Sequence, residues 1–338
     1  MASLTTTSTS DKAEMKQSMR NEAEAMNNME GKDEKGDIRV TTMAAAMECL
    51  NGMIPADGGE GGRYNYPAMH LGQGVCAGKD RQDVHRAFLL WCQKEEDRNG
   101  DSFNVSKAFR RLEAFADYQT RMFEKYFSTP IDIESEQFQK VVQIMDIKIP
   151  KDVHAETGAV VWVMDMQKWD MTSFKELESM GLSLTDVMRW FWSLMLTSMF
   201  DDVTCIHGVV IVEGMDGLGL SGMMSWQSAF KPIETDMNEM FYGITPFKMK
   251  ACLIVGAPWW LSALLAFMRL FISKKISERL KNYSEESCQK YMGGVEYLPN
   301  GYFGGTLSYE ERYPGMTGGN DDIKKEAEGD DEEEDIVF

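Results

Sequence analysis

Eighteen consecutive uncharged residues, Ala251 to Met268, constrain the fold of this chain more than any other stretch. Their number is just enough for a helix that spans a bilayer. The middle of the run is Gly256-Ala257-Pro258, and a proline inside a helix removes a backbone hydrogen bond and clashes with the preceding turn. The run therefore predicts two elements of a soluble protein, a buried strand over Ala251–Val255 and an apolar helix over Trp259–Phe271. A helix that is apolar almost all round must cover an apolar surface.

The segments before this run alternate between strand-like and helix-like patterns. Strands are predicted over Ala159–Met164 and Gly208–Val212, ahead of the one that begins at Ala251. Helices are predicted between them, one opening at the capping box Ser183–Asp186 and one over Ser225–Phe241. This alternation is typical of an α/β fold, a mostly parallel sheet flanked by helices, here with the apolar helix as a lid.

The rest of the chain divides into a helical module and two extensions. Apolar residues recur at helical spacing in two segments that make up a small module at 83–128, and the α/β domain is placed at 135–306. Residues 1–80 lack periodicity and carry glycine and acidic runs, so they are predicted to be a disordered extension. Residues 315–338 are predicted to be a disordered acidic tail.

Charge and cysteine usage exclude several classes of protein. The net charge of −19 disfavours nucleic acid as a partner. The six cysteines and four histidines lack the spacing of a zinc site, and the cysteines lack the pattern of a disulfide framework, so neither feature is expected. The first residues are rich in Ser and Thr rather than apolar, unlike a secretory signal. A reducing, cytoplasmic location is therefore expected.

One glycine-rich stretch keeps an enzymatic alternative open. Gly217, Gly219 and Gly222 match the G-x-G-x-x-G pattern of dinucleotide-binding loops and follow a predicted strand. Four residues separate that strand from the first glycine, and the next strand ends without the acid that would hold a ribose. No paired carboxylates or catalytic triad stand out elsewhere. We therefore expect a non-enzymatic protein without a cofactor, and the alternative is a dinucleotide-dependent oxidoreductase that uses Gly217–Gly222.

Four motifs in the second half of the chain, in this order and spacing, resemble the successive motifs of CRAL-TRIO lipid-binding domains. They begin at Gly208, Thr245, Lys274 and Tyr297 and read GVVIVEGMDGL, TPFKMKACLIVGAPW, KKISERL and YLPNGYFGG. Residues 102–126 also resemble the end of the helical module that precedes such domains. The resemblance covers about residues 85–306 and implies a lipid-binding or lipid-transfer protein.

The resemblance implies a lipid pocket with the sheet as its floor and the apolar helix as its lid. Phe247 stands where phosphatidylinositol-transferring members carry Glu, which disfavours that ligand. A phospholipid, a tocopherol-like lipid or a retinoid-like lipid is expected instead. The residues expected to face the lipid lie on the strands, on the helix after Ser183 and on the lid: Trp162, Met164, Phe191, Ile211, Glu213, Leu253, Val255, Trp259, Leu264 and Phe267.

Basic residues before and after the lid resemble the face with which tocopherol-transfer members contact phosphoinositides. They are Lys248, Lys250, Lys275 and Arg279, and the turns are expected to bring them to the two ends of the lid. The implied partner is an anionic membrane surface, including phosphoinositides, on which the protein would be peripheral. A second alternative is an adaptor for signalling or trafficking that is recruited to membranes without exchanging lipid.

Overall fold

The computed structural model of the chain describes residues 37–40, 42–56, 58–93, 102–166, 177–217, 219–246, 248–259, 261 and 274–317. The strands in this part of the chain are β1 (Arg39–Val40), β2 (Phe103–Asn104), β3 (Val160–Asp165), β4 (Val209–Gly214), β5 (Met249–Val255) and β6 (Leu280–Tyr283). The α-helices are α1 (Met43–Met53), α2 (Arg81–Trp91), α3 (Val105–Tyr126), α4 (Glu136–Met145), α5 (Leu184–Met199), α6 (Asp202–His207), α7 (Leu220–Glu239), α8 (Lys274–Arg279) and α9 (Glu285–Met292).

The main sheet is parallel and its strands follow the order of the chain, β3-β4-β5-β6. Connections between neighbouring parallel strands are right-handed as a rule. Because each strand here is added on the same side of the previous one, the connecting segments lie on one face of the sheet. That face, called the front face here, packs on α5 and α7. The opposite, back face packs on α9 and on Leu298, Tyr302 and Phe303. The α/β fold with a parallel sheet flanked by helices is confirmed.

Local sequence signals account for the helices that border the sheet. The Ser183 hydroxyl accepts a hydrogen bond from the Asp186 backbone N–H, and the Asp186 side chain accepts from the Ser183 backbone N–H, so the predicted capping box opens α5. In α3, buried residues recur along one stripe from Val105 to Tyr126, as predicted. These two helices meet through stacked aromatic rings, with the Trp192 ring 5.7 Å from that of Phe115.

The uncharged run divides as predicted where the structure describes it. Its first part continues β5, which ends at Val255. Gly256 has a φ of +66°, and a Cβ there would lie 2.8 Å from the Asp216 Cβ, so the turn favours glycine on both counts. Helix resumes at Trp259, while Leu264, Phe267 and the rest of 262–273 lie outside the described residues. Within the described part of the chain, the helices are all too short or too polar to cross a bilayer.

The prediction of disorder over 1–80 is wrong for the described residues from 37 onward. Tyr64 and Tyr66 are fully buried there, and the Tyr66 hydroxyl contacts His85 Nε2 at 2.9 Å. Trp192 Nε1 of α5 donates to the Ala68 carbonyl at 3.0 Å, which joins this segment to the α/β domain. Short 3₁₀ turns carry most of these residues. They have neither helical nor strand periodicity, so the buried aromatic side chains gave no periodic signal.

The predicted acidic tail also begins later than expected. Residues 306–317, called the C-terminal strap here, run back across the helices, and Met316 accepts a hydrogen bond from Trp190 Nε1 at 2.9 Å. The side chain of Arg312 binds Asp201, with Nε 2.6 Å from Oδ2, and the Tyr313 hydroxyl donates to the same oxygen at 2.9 Å. The remainder of the predicted tail, 318–338, lies outside the described residues.

Candidate functional site

The front face of the sheet carries four of the residues predicted to face a lipid. Trp162 pairs with Ile211 and Met164 pairs with Glu213 across the β3–β4 ladder, so these four point to the same side. The β4–β5 register adds Cys252 beside Ile211 and Ile254 beside Glu213, two residues that the sequence analysis missed.

The placement of Leu253 and Val255 on the same face was wrong. Both pack on the back face with Cys288 and Met292 of α9. The register shifts between Val209 and Val210, where β5 contains one extra residue. Because side chains alternate along a strand, a shift of one residue moves every side chain to the other face, and the sequence does not show where such shifts occur.

The two faces differ in how completely they are covered. On the back face, Val163, Val212 and Leu253 are 0 % exposed. On the front face, Met164 is 9 % exposed, and Ile211 and Cys252 are each 7 % exposed. These front-face residues are on three neighbouring strands, on the face that packs on α5 and α7, and we call the partly exposed space beside them the recess. A recess lined by apolar side chains is the expected form of a hydrophobic ligand site.

Two aromatic side chains form a wall of this recess. Phe191 of α5 is 9 % exposed, and its ring lies 6.2 Å from that of Phe241, in an edge-to-face contact. Phe241 also meets Trp162 edge to face at 6.1 Å. Phe241 belongs to a single π-helical turn, Met240–Ile244, that follows α7. Such turns are rare and often lie at functional sites, but no sequence signal pointed to this one.

Glu213 is a carboxylic acid on the front face, between Met164 of β3 and Ile254 of β5. Among the described residues its near polar contact is Cys252, with Sγ 4.0 Å from Oε2. Burial raises the pKa of Glu213 to about 7. Glu213 is nevertheless partly exposed. The two observations agree if Glu213 faces the recess, which admits a small molecule but is shielded from bulk solvent by protein.

Helix α3 of the helical module makes hydrogen bonds to the end of α7, just before the wall residue Phe241. Asp236, near the end of α7, accepts hydrogen bonds from Lys125 Nζ at 2.6 Å and from the Tyr126 hydroxyl at 2.8 Å, both on α3. The Tyr118 hydroxyl donates to the Asp236 carbonyl at 2.9 Å. These contacts fix the end of α7 that leads into Phe241.

The described start of the predicted lid presents a tryptophan to solvent. Trp259 is 84 % exposed, whereas Leu261, two residues later, is 4 % exposed and packs in the front-face core. An indole at such a position can enter the interface of a membrane, where its apolar body and polar N–H are both accommodated. The two other lid residues predicted to face the lipid, Leu264 and Phe267, lie outside the described residues.

The predicted basic residues gather at one edge of the sheet. Lys248 and Lys250 are at the amino end of β5, and Arg279 precedes Leu280, which pairs with Cys252 in the parallel β5–β6 ladder. The expectation that these groups lie at opposite ends of the lid is therefore wrong. Parallel pairing brings the amino ends of both strands to the same edge, whereas Trp259 follows the carboxyl end of β5. Lys275 belongs to α8, and its side chain is not among those described.

Bases of the helical module border the same edge. The Lys248 ammonium donates to the Gln93 carbonyl at 3.3 Å, which brings it to the end of α2. Burial raises the pKa of the neighbouring Cys92 thiol, and the nearby charges of Arg111, Lys107, Lys248 and Arg110 oppose that rise. The basic edge, as we call Lys107, Arg110, Arg111, Lys248, Lys250 and Arg279, thus spans two parts of the chain. Sequence reasoning missed the α3 members because Lys107 is 143 positions before Lys250 and the two segments share no motif.

The sheet order bears on the dinucleotide alternative. Gly219 is the N-cap of α7, so the glycine stretch does begin a helix that follows a strand. Ligands of doubly wound sheets bind where the strand order reverses and two crossovers separate to opposite faces. The order β3-β4-β5-β6 has no reversal among the described strands. The described strands therefore place no strand-order reversal, where such cofactors bind, beside Gly217–Gly222.

A partly exposed apolar face on a parallel sheet, beside crossover helices, is compatible with a site for a hydrophobic ligand. Residues 155–305 match the CRAL/TRIO domain, and this match supports a lipid-binding or lipid-transfer protein. The crystal structure of Sfh5 is similar over 85 % of this chain and 97 % of that chain, with 13 % sequence identity and a TM-score of 0.48. The resemblance read from the four sequence motifs is confirmed by the match to the domain.

Proposed function

We propose that the protein binds one lipid in the front-face recess and transfers or presents it at membranes, without catalysing a reaction on it. The observation that carries this proposal is the difference between the two faces of the sheet. On the back face, Val163, Val212 and Leu253 are fully buried, whereas Met164, Ile211 and Cys252 on the front face keep exposed area. Each methylene that a ligand buries there would contribute about 0.8 kcal/mol, so a long hydrocarbon chain has ample driving force to enter.

Entry and release require that part of the cover moves. The apolar segment that starts at Trp259 is the candidate, because its sequence is uncharged up to Arg269. When closed it would cover the lipid, and when open it would meet the bilayer, with the exposed Trp259 as its first contact. A ligand or a membrane shifts such an equilibrium only through its different affinity for the two states.

The basic edge is the proposed docking surface. The protein has a net charge of −19, but screening at physiological salt confines repulsion to about 8 Å, so the local charges decide how it approaches an anionic membrane. Each basic residue near such a surface contributes about 1 kcal/mol. Lys248, Lys250, Lys275 and Arg279 would bind phosphate groups, including those of phosphoinositides. The protein would then be cytoplasmic and peripheral at membranes.

Lipid occupancy is the direct test of the proposal. Native mass spectrometry of the purified full-length protein, followed by lipid extraction, should show one lipid per chain and give its identity. A protein that carries no lipid, and takes up none after delipidation, contradicts the binding proposal. If it still binds vesicles in that case, the adaptor function is favoured.

Two sets of variants separate transfer from stability. Leu264→Ser together with Phe267→Ser should slow lipid transfer between vesicles more than it lowers the melting temperature, whereas equal losses would indicate ordinary core residues. Replacing Lys248, Lys250, Lys275 and Arg279 with Ala should weaken cosedimentation with phosphoinositide-containing vesicles, and more so at low salt. Lys290→Ala is the matched control, since Lys290 is exposed on α9 at the back face.

A further inference from the structure

A single carboxyl group interrupts the apolar floor of the recess. Glu213 lies in the row formed by Met164, Glu213 and Ile254, and its neighbours in the adjacent row are Ile211 and Cys252. Burying a polar group without a hydrogen-bond partner is costly, and hydrocarbon would be the simpler floor for a site that only holds an acyl chain. The position of Glu213 therefore calls for a ligand that provides a polar partner.

The described residues around Glu213 provide no strong hydrogen-bond donor for its carboxyl group, so a ligand would have to provide one. The Cys252 thiol is 4.0 Å from Glu213 Oε2, and a thiol is a weak donor. No cation of the described residues contacts the carboxyl group, and Glu213, which lies on the front face, is partly exposed. A small polar group on a ligand in the recess could reach it.

We infer that Glu213 selects the ligand, and that the recess takes a long-chain lipid with an uncharged hydroxyl group lying against the sheet, hydrogen-bonded to Glu213. The inference rests on the proposed function. A hydroxyl group both donates and accepts, so it satisfies a carboxyl group in either protonation state.

The same geometry disfavours other head groups at that end of the lipid. A ligand carboxylate would place a second acid beside Glu213 in apolar surroundings, where two like charges cannot both be accommodated. An ether of the same length could accept a hydrogen bond but not donate one, so it would leave an ionised Glu213 without a donor. A site that provides a buried hydrogen-bonding group discriminates against analogues that lack the matching group.

The inference can be tested with four probes that share one hydrocarbon chain. Delipidated full-length protein is incubated with phosphatidylcholine vesicles that contain 1-hexadecanol, its methyl ether, hexadecanoic acid or hexadecylamine. Loading is then read by native mass spectrometry of the re-isolated protein. The wild type should load the alcohol about three- to tenfold more than the ether, the range expected for one hydrogen bond.

Three variants assign that preference to Glu213. Glu213→Leu should remove the preference for the alcohol over the ether. Glu213→Gln keeps a donor and an acceptor, so it should keep the preference and load more of the acid than the wild type does. Met164→Leu, a change of similar volume in the same row, should leave the preference unchanged and serves as the control.

The outcomes distinguish this inference from the proposed function. If no probe is loaded and no lipid copurifies, the binding function itself is wrong. If the probes are loaded without preference, or the preference persists in Glu213→Leu, the function stands and the role of Glu213 is wrong. Better loading of the amine, or of the vesicle phosphatidylcholine, than of the alcohol overturns the assignment of an uncharged hydroxyl ligand.

Discussion

Replacing Glu213 with Gln should stabilise the ligand-free protein at alkaline pH and have little effect at acidic pH. In the folded protein, burial raises the pKa of Glu213 to about 7, from an ordinary value of 4.5. The folded state therefore binds this proton more tightly than the unfolded chain does. Stability is greatest when the carboxyl group is protonated, and it is lost as the pH rises from about 4.5 to about 7. Glutamine has the same shape and does not titrate.

The size of the effect follows from the difference between the two pKa values. One unit corresponds to about 1.4 kcal/mol, so the difference between 4.5 and about 7 is equivalent to roughly 3 kcal/mol in the free energy of unfolding above pH 7. This figure is an upper estimate, because water that fills the empty recess would solvate part of the charge. Near pH 5 the difference between the two proteins should fall to about 0.8 kcal/mol.

Urea unfolding of delipidated protein at pH 5 and at pH 8, followed by tryptophan fluorescence, measures this difference. Lipid must be removed first because any ligand that binds the folded state adds its own stabilisation. Glu178→Gln, at an exposed position, is the matched control and should shift stability equally at both pH values. If Glu213→Gln also shifts stability equally at both, Glu213 is solvated in the folded protein and its assignment to the recess is wrong.

The termini and their contacts give three further expectations. Removing residues 1–80 should prevent cooperative thermal unfolding, because Leu50, Tyr64 and Tyr66 belong to the core, whereas removing 1–36 should leave the melting curve unchanged. Burial alone would raise the pKa of Asp201, but hydrogen bonds from Arg312, Thr204 and Tyr313 hold it below its ordinary value. Asp201→Asn should therefore lower the free energy of unfolding in urea by about 3 kcal/mol at pH 7, and by less below pH 3.8. Deleting residues 320–338 should increase cosedimentation with anionic vesicles at low salt, and an unchanged bound fraction would exclude competition by the acidic tail.

Strands and capped helices could be predicted because their signals are local. The capping box at Ser183 and the turn at Gly256-Ala257-Pro258 each fix an element boundary within a few residues. The face that each side chain takes is not local. Leu253 is as apolar as Ile254, and the register with β4, including its one-residue shift, decides which of them reaches the recess.

The ordered structure of residues 37–80 and of the C-terminal strap could not be predicted from the sequence for a related reason. Both segments are held by single hydrogen bonds and aromatic contacts to distant residues, such as Trp192 to Ala68 and Trp190 to Met316. Apart from α1, whose buried residues Ala46 and Leu50 are four positions apart, these segments have no repeating pattern of apolar residues. Composition rich in Gly, Asp and Glu indicated disorder, but burial of a few large side chains is enough to order an irregular segment.

The sheet topology connects the proposed lid to the proposed docking surface. β5 has seven residues and so runs about 23 Å from its amino end to its carboxyl end. The chain leaves its carboxyl end at Trp259 and must return to the amino edge before Leu280 pairs with Cys252. A helix over Trp259–Phe271, as predicted from the sequence, would be about 20 Å long, which matches that return path across the front face. The lid would then end beside α8 and the basic edge. Anionic lipid bound at that edge would act on the end of the lid directly, so docking and opening would be coupled through α8.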